Sequence, residues 1–178
     1  SRYIDRIAYA SDASFYHLIP EVVVQPETID QIVLLLGFAR NNNIHLTFRA
    51  AGTSLSGQAV TNGILVDLSK GWKKYEIINN GRQIRLEPGI IGQQANNLLK
   101  NYNKKIGPDP ASISACMLGG IIANNASGMC CGVTQNAYHT LSSLKFILAS
   151  GNIFDTALVN ADWEFQNKEP EIAQGLLN

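Results

Sequence analysis

The sequence has little net charge and no long hydrophobic run. Its 14 lysine and arginine residues equal its 14 aspartate and glutamate residues, so charge gives no reason to expect a nucleic-acid or anionic-membrane partner. The longest hydrophobic run, which begins at Ile32, is about half the length of a membrane span. The charges near the N-terminus are not followed by the apolar core of a signal peptide. We therefore expect at most peripheral contact with a membrane.

Cysteine is also scarce. Of three cysteines, Cys130 and Cys131 are adjacent, which excludes a disulfide framework and a four-thiolate metal site and favours a reducing, cytoplasmic setting. The three histidines, His17, His45 and His139, share no metal-ligand spacing, so we expect no metal site. His45 falls in a predicted buried strand, and we expect it to be a hydrogen-bonded core residue.

What is present is a hydrophobic content of 46% in 178 residues, which is enough for one domain with its own core. Only 16% of the residues are charged. Many apolar residues combined with few charges also indicate that part of the surface is meant to be covered.

Alternating hydrophobic patterns predict an α+β fold in which parallel and antiparallel pairings are mixed. A strand at 21–26, a helix that begins with a capping box at Thr28–Gln31, and a buried strand at 44–48 predict a βαβ unit with a parallel pair. A third strand is expected at 63–68.

The following part of the chain predicts antiparallel strands and helices. Two hairpins are expected, one at 75–88 around Asn80-Gly81 and one at 144–158. Between them a helix has one apolar face, made by Ile91, Ala95, Leu98, Leu99 and Tyr102.

These elements fall into two predicted subdomains. The first, at about 18–69, is a small parallel βαβ subdomain. The second, at about 70–160, has a mixed or antiparallel sheet with flanking helices. The last stretch, EPEIAQGLLN, has the pattern of a helix that begins and then stops.

The segment FRAAGTSLSGQAV, residues 48–60, follows a predicted strand and is rich in small residues. Between Arg49 and Gln58 it has two glycines, two serines and a threonine, and its only bulky apolar residue there is Leu55. Backbone N–H groups in such a loop can surround an anion, most often a phosphate. The loop has neither the Walker A lysine nor the G-x-G-x-x-G pattern. An ordinary turn whose hydroxyls face water remains the alternative.

A second glycine-rich segment, GPDPASISACMLGGIIANNASGMCCG, spans 107–132. Pro108 and Pro110 predict an extended approach, and Gly119-Gly120 predicts the start of a short helix whose first amides can bind an anion. Polar side chains that can hydrogen-bond a ring or a polyol follow at Asn124, Asn125 and Ser127. Two phosphate-competent loops in one domain indicate a dinucleotide ligand.

The ordered motifs RAAGTSLSGQAV, GILVDLS, LEPG, GPDPAS, LGGIIANNASGM and ILASGNIFDT resemble the FAD-binding domain of the vanillyl-alcohol oxidase (PCMH-type) superfamily. The resemblance covers residues 9–158, and its most similar branch holds D-lactate dehydrogenase, glycolate oxidase and D-2-hydroxyglutarate dehydrogenase. It implies a PCMH-type FAD-binding fold with non-covalent FAD, whose pyrophosphate is wrapped by the backbone amides of the first loop.

The resemblance also implies which residues bind the cofactor. The pyrophosphate loop would comprise Ala51, Gly52, Thr53, Ser54, Leu55 and Ser56, with Arg49 at its base and Gly57 and Gln58 at its end. The segment beside the isoalloxazine and ribityl chain would comprise Pro108, Asp109, Pro110 and Ala111. The second phosphate-side turn would comprise Met117, Leu118, Gly119 and Gly120. Contacts near the flavin ring and ribityl chain would come from Asn124, Asn125, Ser127 and Gly128.

The function implied is that of the FAD-binding portion of a flavin-dependent 2-hydroxy-acid dehydrogenase, in which a hydride passes from substrate to flavin N5. The electron acceptor is left open among a quinone, an iron–sulfur protein and an electron-transfer flavoprotein. The resemblance implies that the catalytic residues lie in a substrate-binding cap domain, which we expect this chain not to include. It also implies a later GTLG-type segment of the FAD domain that contacts the adenosine part, and this segment is expected to be missing as well. The chain alone is therefore expected to be inactive.

Two alternatives stay open. One is the FAD domain of another superfamily oxidoreductase, of the UDP-N-acetylenolpyruvylglucosamine reductase or aromatic alcohol oxidase type. The other is a non-catalytic flavin-binding module. Some superfamily members attach flavin covalently through cysteine or histidine, but we expect Cys116 to be a small buried side chain.

Overall fold

A computed structural model describes residues 2–177 of the chain. Its contacts group the chain into two units. Unit 1 comprises the residues up to Glu27 together with Ile44–Thr140, and unit 2 comprises Thr28–Asn43 and the residues from Leu141 onward. The helices and strands mix parallel and antiparallel sheets, which confirms the predicted α+β class.

Unit 1 contains a three-stranded parallel sheet made by β1 (Val22–Val24), β2 (Leu46–Arg49) and β3 (Ile64–Asp67). The strand order is β1-β3-β2. β1 and β2 are parallel to one another, as predicted, but they do not pair directly, because β3 lies between them. Every residue of β3 is buried, as expected for an apolar strand with neighbours on both sides.

β2 is an edge strand, and this position corrects the prediction of a buried strand at 44–48. Its residues are only partly buried, and Phe48 is 41% exposed. His45 lies just before the strand and is exposed. Its backbone carbonyl accepts a hydrogen bond from the Ile64 N–H at 3.0 Å. The prediction that His45 is a core histidine is therefore wrong.

The other elements of unit 1 are α1 (Tyr3–Ile7), β4 (Tyr75–Ile78), β5 (Gln83–Leu86), α3 (Gly92–Leu99), a 3-10 turn (Lys100–Tyr102), α4 (Leu118–Ala123) and α5 (Ala137–Thr140). Several of them meet in a hydrophobic cluster. β4 and β5 form the predicted hairpin. The cluster consists of Ile90, Ala95, Cys116, Leu118, Ile121 and Ala137, so it ties α3, α4 and α5 together.

Unit 2 contains α2 (Ile29–Asn41), the antiparallel pair β6 (Lys145–Ile147) and β7 (Ile153–Asp155), and the helices α6 (Ala161–Lys168) and α7 (Pro170–Leu177). The predicted cap of α2 is confirmed, because the Thr28 hydroxyl accepts a hydrogen bond from the Gln31 N–H at 3.2 Å. The hairpin packs on α6 through the rings of Phe146, Phe154 and Phe165. The sequence did not predict α6.

This grouping differs from the predicted division at about 18–69 and 70–160. α2 shares contacts with the hairpin of unit 2, where the Arg40 guanidinium donates to the Ser150 carbonyl at 2.9 Å. The sheet strands that precede and follow α2 belong instead to unit 1. The domain boundaries themselves stay a prediction. Among the helices described, none has the length and apolar character needed to cross a membrane.

Leu65 in β3 is fully buried, whereas Leu34 in α2 is 73% exposed. Replacing Leu65 with alanine leaves a cavity in the sheet, and we expect it to lower the free energy of unfolding by about 2–5 kcal/mol. The matched control, Leu34→Ala, should change it by less than about 0.5 kcal/mol. Urea denaturation followed by circular dichroism measures both, and equal effects would contradict a central, buried β3.

Candidate functional site

A cleft of about 450 Å³ opens in unit 1, a volume typical of small-ligand sites, which span roughly 300–1,000 Å³. It is lined by the loop that follows β2 and by a second segment that extends from Pro110 to Ala126. The predicted cofactor-binding residues that line it are Ala51, Gly52, Thr53, Ser54, Gln58, Pro110, Met117, Gly119, Gly120 and Asn124. The fold thus brings the two glycine-rich segments to one cavity.

The other predicted residues do not line the cleft. They are Arg49, Leu55, Ser56, Gly57, Pro108, Asp109, Ala111, Leu118, Asn125, Ser127 and Gly128. Several of them have structural roles instead. Leu118 and Pro108, for example, are buried, and Leu118 belongs to the hydrophobic cluster.

Sequence reasoning missed a further set of lining residues. They are Phe48, Ala50, Ala59, Leu68, Ser112, Cys116, Ile121, Ala123 and Ala126. Most are small or apolar and adjoin the predicted motifs, so proximity to those motifs was the available signal. Cys116 is 5% exposed, which confirms the prediction of a small buried side chain, and it also forms part of the cleft wall.

The loop after β2 that contains Ala51–Gln58, here called the first loop, has free backbone donors. The N–H groups of Ala51–Leu55 donate no hydrogen bond to any acceptor in residues 2–177. Past them, the Ser56 N–H donates to the Ser54 hydroxyl oxygen at 3.2 Å, and that hydroxyl donates to Gln58 Oε1 at 2.6 Å. A row of free amides beside a cavity is the arrangement that binds anions.

The guanidinium of Arg49 lies against this loop at Gly52. Its Nη1 donates to the backbone carbonyls of Ser11 at 2.8 Å and Tyr9 at 3.3 Å. Gly52 has a φ of +70°, and a Cβ added there would lie 2.6 Å from Arg49 Nη2. Glycine is therefore required at this position both for its backbone conformation and for the close approach of the guanidinium.

The segment around Asn125 contacts Asp109, which lies between Pro108 and Pro110. The Asp109 N–H donates to the Ser127 carbonyl at 3.2 Å, and a Cβ at Gly128 would collide with the Asp109 carbonyl. The Asn125 side-chain oxygen accepts a hydrogen bond from the Tyr138 N–H at 2.9 Å. In this structure Asn125 therefore caps α5 and is not directed to the cleft.

The helix predicted at Gly119-Gly120 is present as α4, but the first two of its amides are not free. The Leu118 N–H donates to the Ile90 carbonyl and the Gly119 N–H donates to the Pro88 carbonyl, each at 2.9 Å. The prediction that the first amides of this helix form an anion site is wrong for these two donors. They join α4 to the turn before α3 instead.

A buried carboxylate lies at the end of β3, directly before Leu68 of the cleft wall. Asp67 is 2% exposed and accepts hydrogen bonds at 2.8 Å each from the Tyr9 hydroxyl, the Gln25 amide and the Ser69 N–H. Burial raises the pKa of Asp67, but these hydrogen bonds outweigh it and hold the pKa below its ordinary value. Burial, followed by the bond to Asp67, raises the pKa of Tyr9.

The residues that line the cleft include no carboxylate, amine, guanidinium or imidazole. Within residues 2–177 no group of three or more histidine, cysteine, aspartate or glutamate side chains could hold a metal ion. His139 Nδ1 lies 2.8 Å from the side-chain oxygen of Asn136, and Cys130 and Cys131 are free thiols. The cleft therefore presents backbone N–H donors and an uncharged surface to an anion.

Residues 20–157 match the family described as FAD binding domain. D-2-hydroxyglutarate dehydrogenase from Haemophilus influenzae is 33% identical over 168 residues, which cover 90% of this chain and 16% of that protein. Glycolate oxidase subunit GlcD from Escherichia coli (strain K12) is 32% identical over 142 residues, which cover 78% of this chain and 28% of that protein. The chain thus spans less than a third of the length of these relatives.

The fold is similar to that of solved structures. Alkyldihydroxyacetonephosphate synthase superimposes with a TM-score of 0.73 and 17% identity, and the match covers 89% of this chain and 33% of that one. At this identity the similarity concerns the fold alone.

The buried Asp67 predicts a pH-dependent stability. Because the folded state lowers its pKa, Asp67 stabilises the fold above the ordinary aspartate pKa of about 3.9 and loses this effect as the pH falls through its folded value. We expect Asp67→Asn to lower the free energy of unfolding at pH 7 by about 1–3 kcal/mol, and the gap to the wild type to narrow toward pH 3.

Urea denaturation at pH 7 and at pH 3 measures this gap. Asp162→Asn removes an exposed carboxylate and serves as the matched control, for which little change is expected at pH 7. A gap for Asp67→Asn that stays constant across the two pH values would contradict an ionised Asp67 in the folded state.

Proposed function

Because the chain belongs to the FAD binding domain family, we propose that its cleft binds FAD non-covalently and that it forms the flavin-binding part of an enzyme that oxidises a 2-hydroxy acid. The observation that carries this proposal is the row of free amides at Ala51–Leu55 beside the cleft. A pyrophosphate carries negative charge and many acceptor oxygens, and backbone amides without protein partners are suited to it.

The cleft also suits the cofactor in its charge and in the small side chains of its lining. No carboxylate lines it to repel a phosphate, and most side chains of its first wall are small. The loop amides would hold the pyrophosphate, with Gly52 allowing the closest backbone approach. The facing wall, which includes Pro110, Met117 and Asn124, would contact the remainder of the cofactor.

When bound, the flavin supplies the redox chemistry by accepting a hydride from the substrate CH–OH carbon. The residues of this chain bind and orient the cofactor and limit the access of water to it. The cleft lining contains no carboxylate, imidazole or amine, so the group that takes the hydroxyl proton would lie outside these residues. This supports the expectation that the base belongs to another domain.

The hydroxy-acid substrate is supported by the names of the sequence relatives, which include D-2-hydroxyglutarate dehydrogenase and glycolate oxidase subunit GlcD. The particular hydroxy acid, the electron acceptor and the cytoplasmic location stay predictions.

The proposal predicts that the purified chain retains FAD. After incubation with FAD and desalting, we expect visible flavin absorbance to remain with the protein and to be released by denaturation, because the amides of the loop hold the cofactor without a covalent bond. Flavin that stays with the denatured chain would instead indicate attachment, with Cys116 as the first candidate. A chain that retains no flavin, and whose melting temperature FAD does not raise, would contradict the proposal.

Gly52 provides a sharper test of where the pyrophosphate binds. Gly52→Ala forces a side chain into a left-handed conformation against the Arg49 guanidinium, and we expect it to weaken FAD binding by at least about tenfold. Gly37→Ala in α2 is the control, because an added Cβ there meets no atom within 4 Å. Titration of flavin fluorescence measures both affinities, and equal affinities would place the pyrophosphate elsewhere.

A further inference from the structure

A segment that precedes the family match lies against the first loop. The match begins at residue 20, whereas residues 9–16, here called the clamp segment, precede it. The Ala13 N–H donates to the Gly52 carbonyl at 3.0 Å. The ring of Tyr16 covers Gly57, where an added Cβ would lie 2.5 Å from the ring. The clamp segment therefore contacts the loop at Gly52, within the row of free amides, and at Gly57, beyond it.

Asp12 holds the clamp segment in shape. Its Oδ1 accepts hydrogen bonds from the Ser14 N–H at 2.8 Å and from the Ser14 hydroxyl at 2.5 Å. Its Oδ2 accepts from the Ala59 N–H at 3.3 Å, which lies beyond the loop. One carboxylate thus fixes the turn that presents Ala13 and binds the end of the loop at the same time. Such bonds to a charged acceptor are the stronger kind.

The contact of Ala13 with Gly52 sets the direction of the next amide. In a trans peptide the carbonyl oxygen and the following N–H point to opposite sides. Binding of the Gly52 carbonyl by the clamp segment therefore turns the Thr53 N–H away from that segment. Gly52 and Thr53 both line the cleft, and the Thr53 N–H has no acceptor in the described part of the chain.

From this geometry we propose that Asp12 is a positioning residue for cofactor binding, which acts through Ala13 to keep the Thr53 amide directed to an anionic group in the cleft. The inference rests on the proposed function, since it assigns to that site a residue outside the family match. Asp12 does not line the cleft, so its effect on affinity would be transmitted through the backbone of the loop.

The test is the affinity of the chain for FAD in Asp12→Asn. Asparagine has an NH₂ donor in place of one of the two carboxylate oxygens. That donor would face the donors of either Ser14 or the Ala59 N–H, so at least one of these hydrogen bonds is lost. We expect the Kd for FAD to rise about tenfold, the effect of losing one well-formed contact. Asp162→Asn removes an exposed carboxylate of α6 and should change the Kd less than twofold.

Flavin fluorescence titrations are made at 10 °C, after circular dichroism and thermal melts of each variant without FAD. At a temperature where every variant is fully folded, a merely structural role would lower the melting temperature and leave the Kd unchanged. A wild-type Kd in folded Asp12→Asn would overturn the inference.

If Asp12→Asn does not fold, Ser14→Ala decides the matter, because it removes the hydroxyl that donates to Asp12 Oδ1 and so loosens the turn that presents Ala13. A severalfold rise in its Kd supports the inference, and an unchanged Kd overturns it. If the wild-type chain binds no FAD, the proposed function fails and the inference fails with it. If the wild type binds and the variants bind equally well, only the inference fails.

Discussion

The hydrogen bonds of the Arg49 guanidinium join parts of unit 1 that are distant in sequence. Arg49 ends β2, and its side chain reaches back to the carbonyls of Tyr9 and Ser11 and lies within 3.5 Å of the Ala59 carbonyl. The first loop therefore closes over the guanidinium, with Gly52 at the narrowest point. Arg49 thus satisfies carbonyls of segments next to the loop, whereas the N–H groups of Ala51–Leu55 have no acceptor in residues 2–177 and are available to a ligand.

Backbone amides that donate within the protein stabilise the fold, whereas amides without a protein acceptor are available to bind a ligand. The Leu118 and Gly119 amides of α4 donate to the carbonyls of Ile90 and Pro88, and the Asn125 side chain caps α5, so these parts of the second glycine-rich segment are held by the protein itself. The first loop keeps its donors free. A ligand that binds them would add its binding free energy to the stability of the folded state.

Local features were predictable where neighbouring residues decide the structure. The hairpin around Asn80-Gly81 depends on left-handed backbone at consecutive residues, which asparagine and glycine tolerate. The start of α2 depends on the hydroxyl of Thr28. The exposure of His45 was mispredicted because it depends on β3 taking the central position of the sheet, and strand order is a property of contacts between distant segments.

The main strands, the two glycine-rich segments and, through the motifs, the class of cofactor could be predicted because they depend on residue type and short spacing. Which amides are free could not be predicted in this way, because it depends on the folded chain. That outcome depends on partners remote in sequence: Asp12 and Arg49 hold the segments next to the first loop, whereas the carbonyls of Ile90 and Pro88 accept hydrogen bonds from the Leu118 and Gly119 amides of α4. A backbone N–H is the same group at every position, and only the acceptors that the fold brings near it distinguish a structural donor from one available to a ligand.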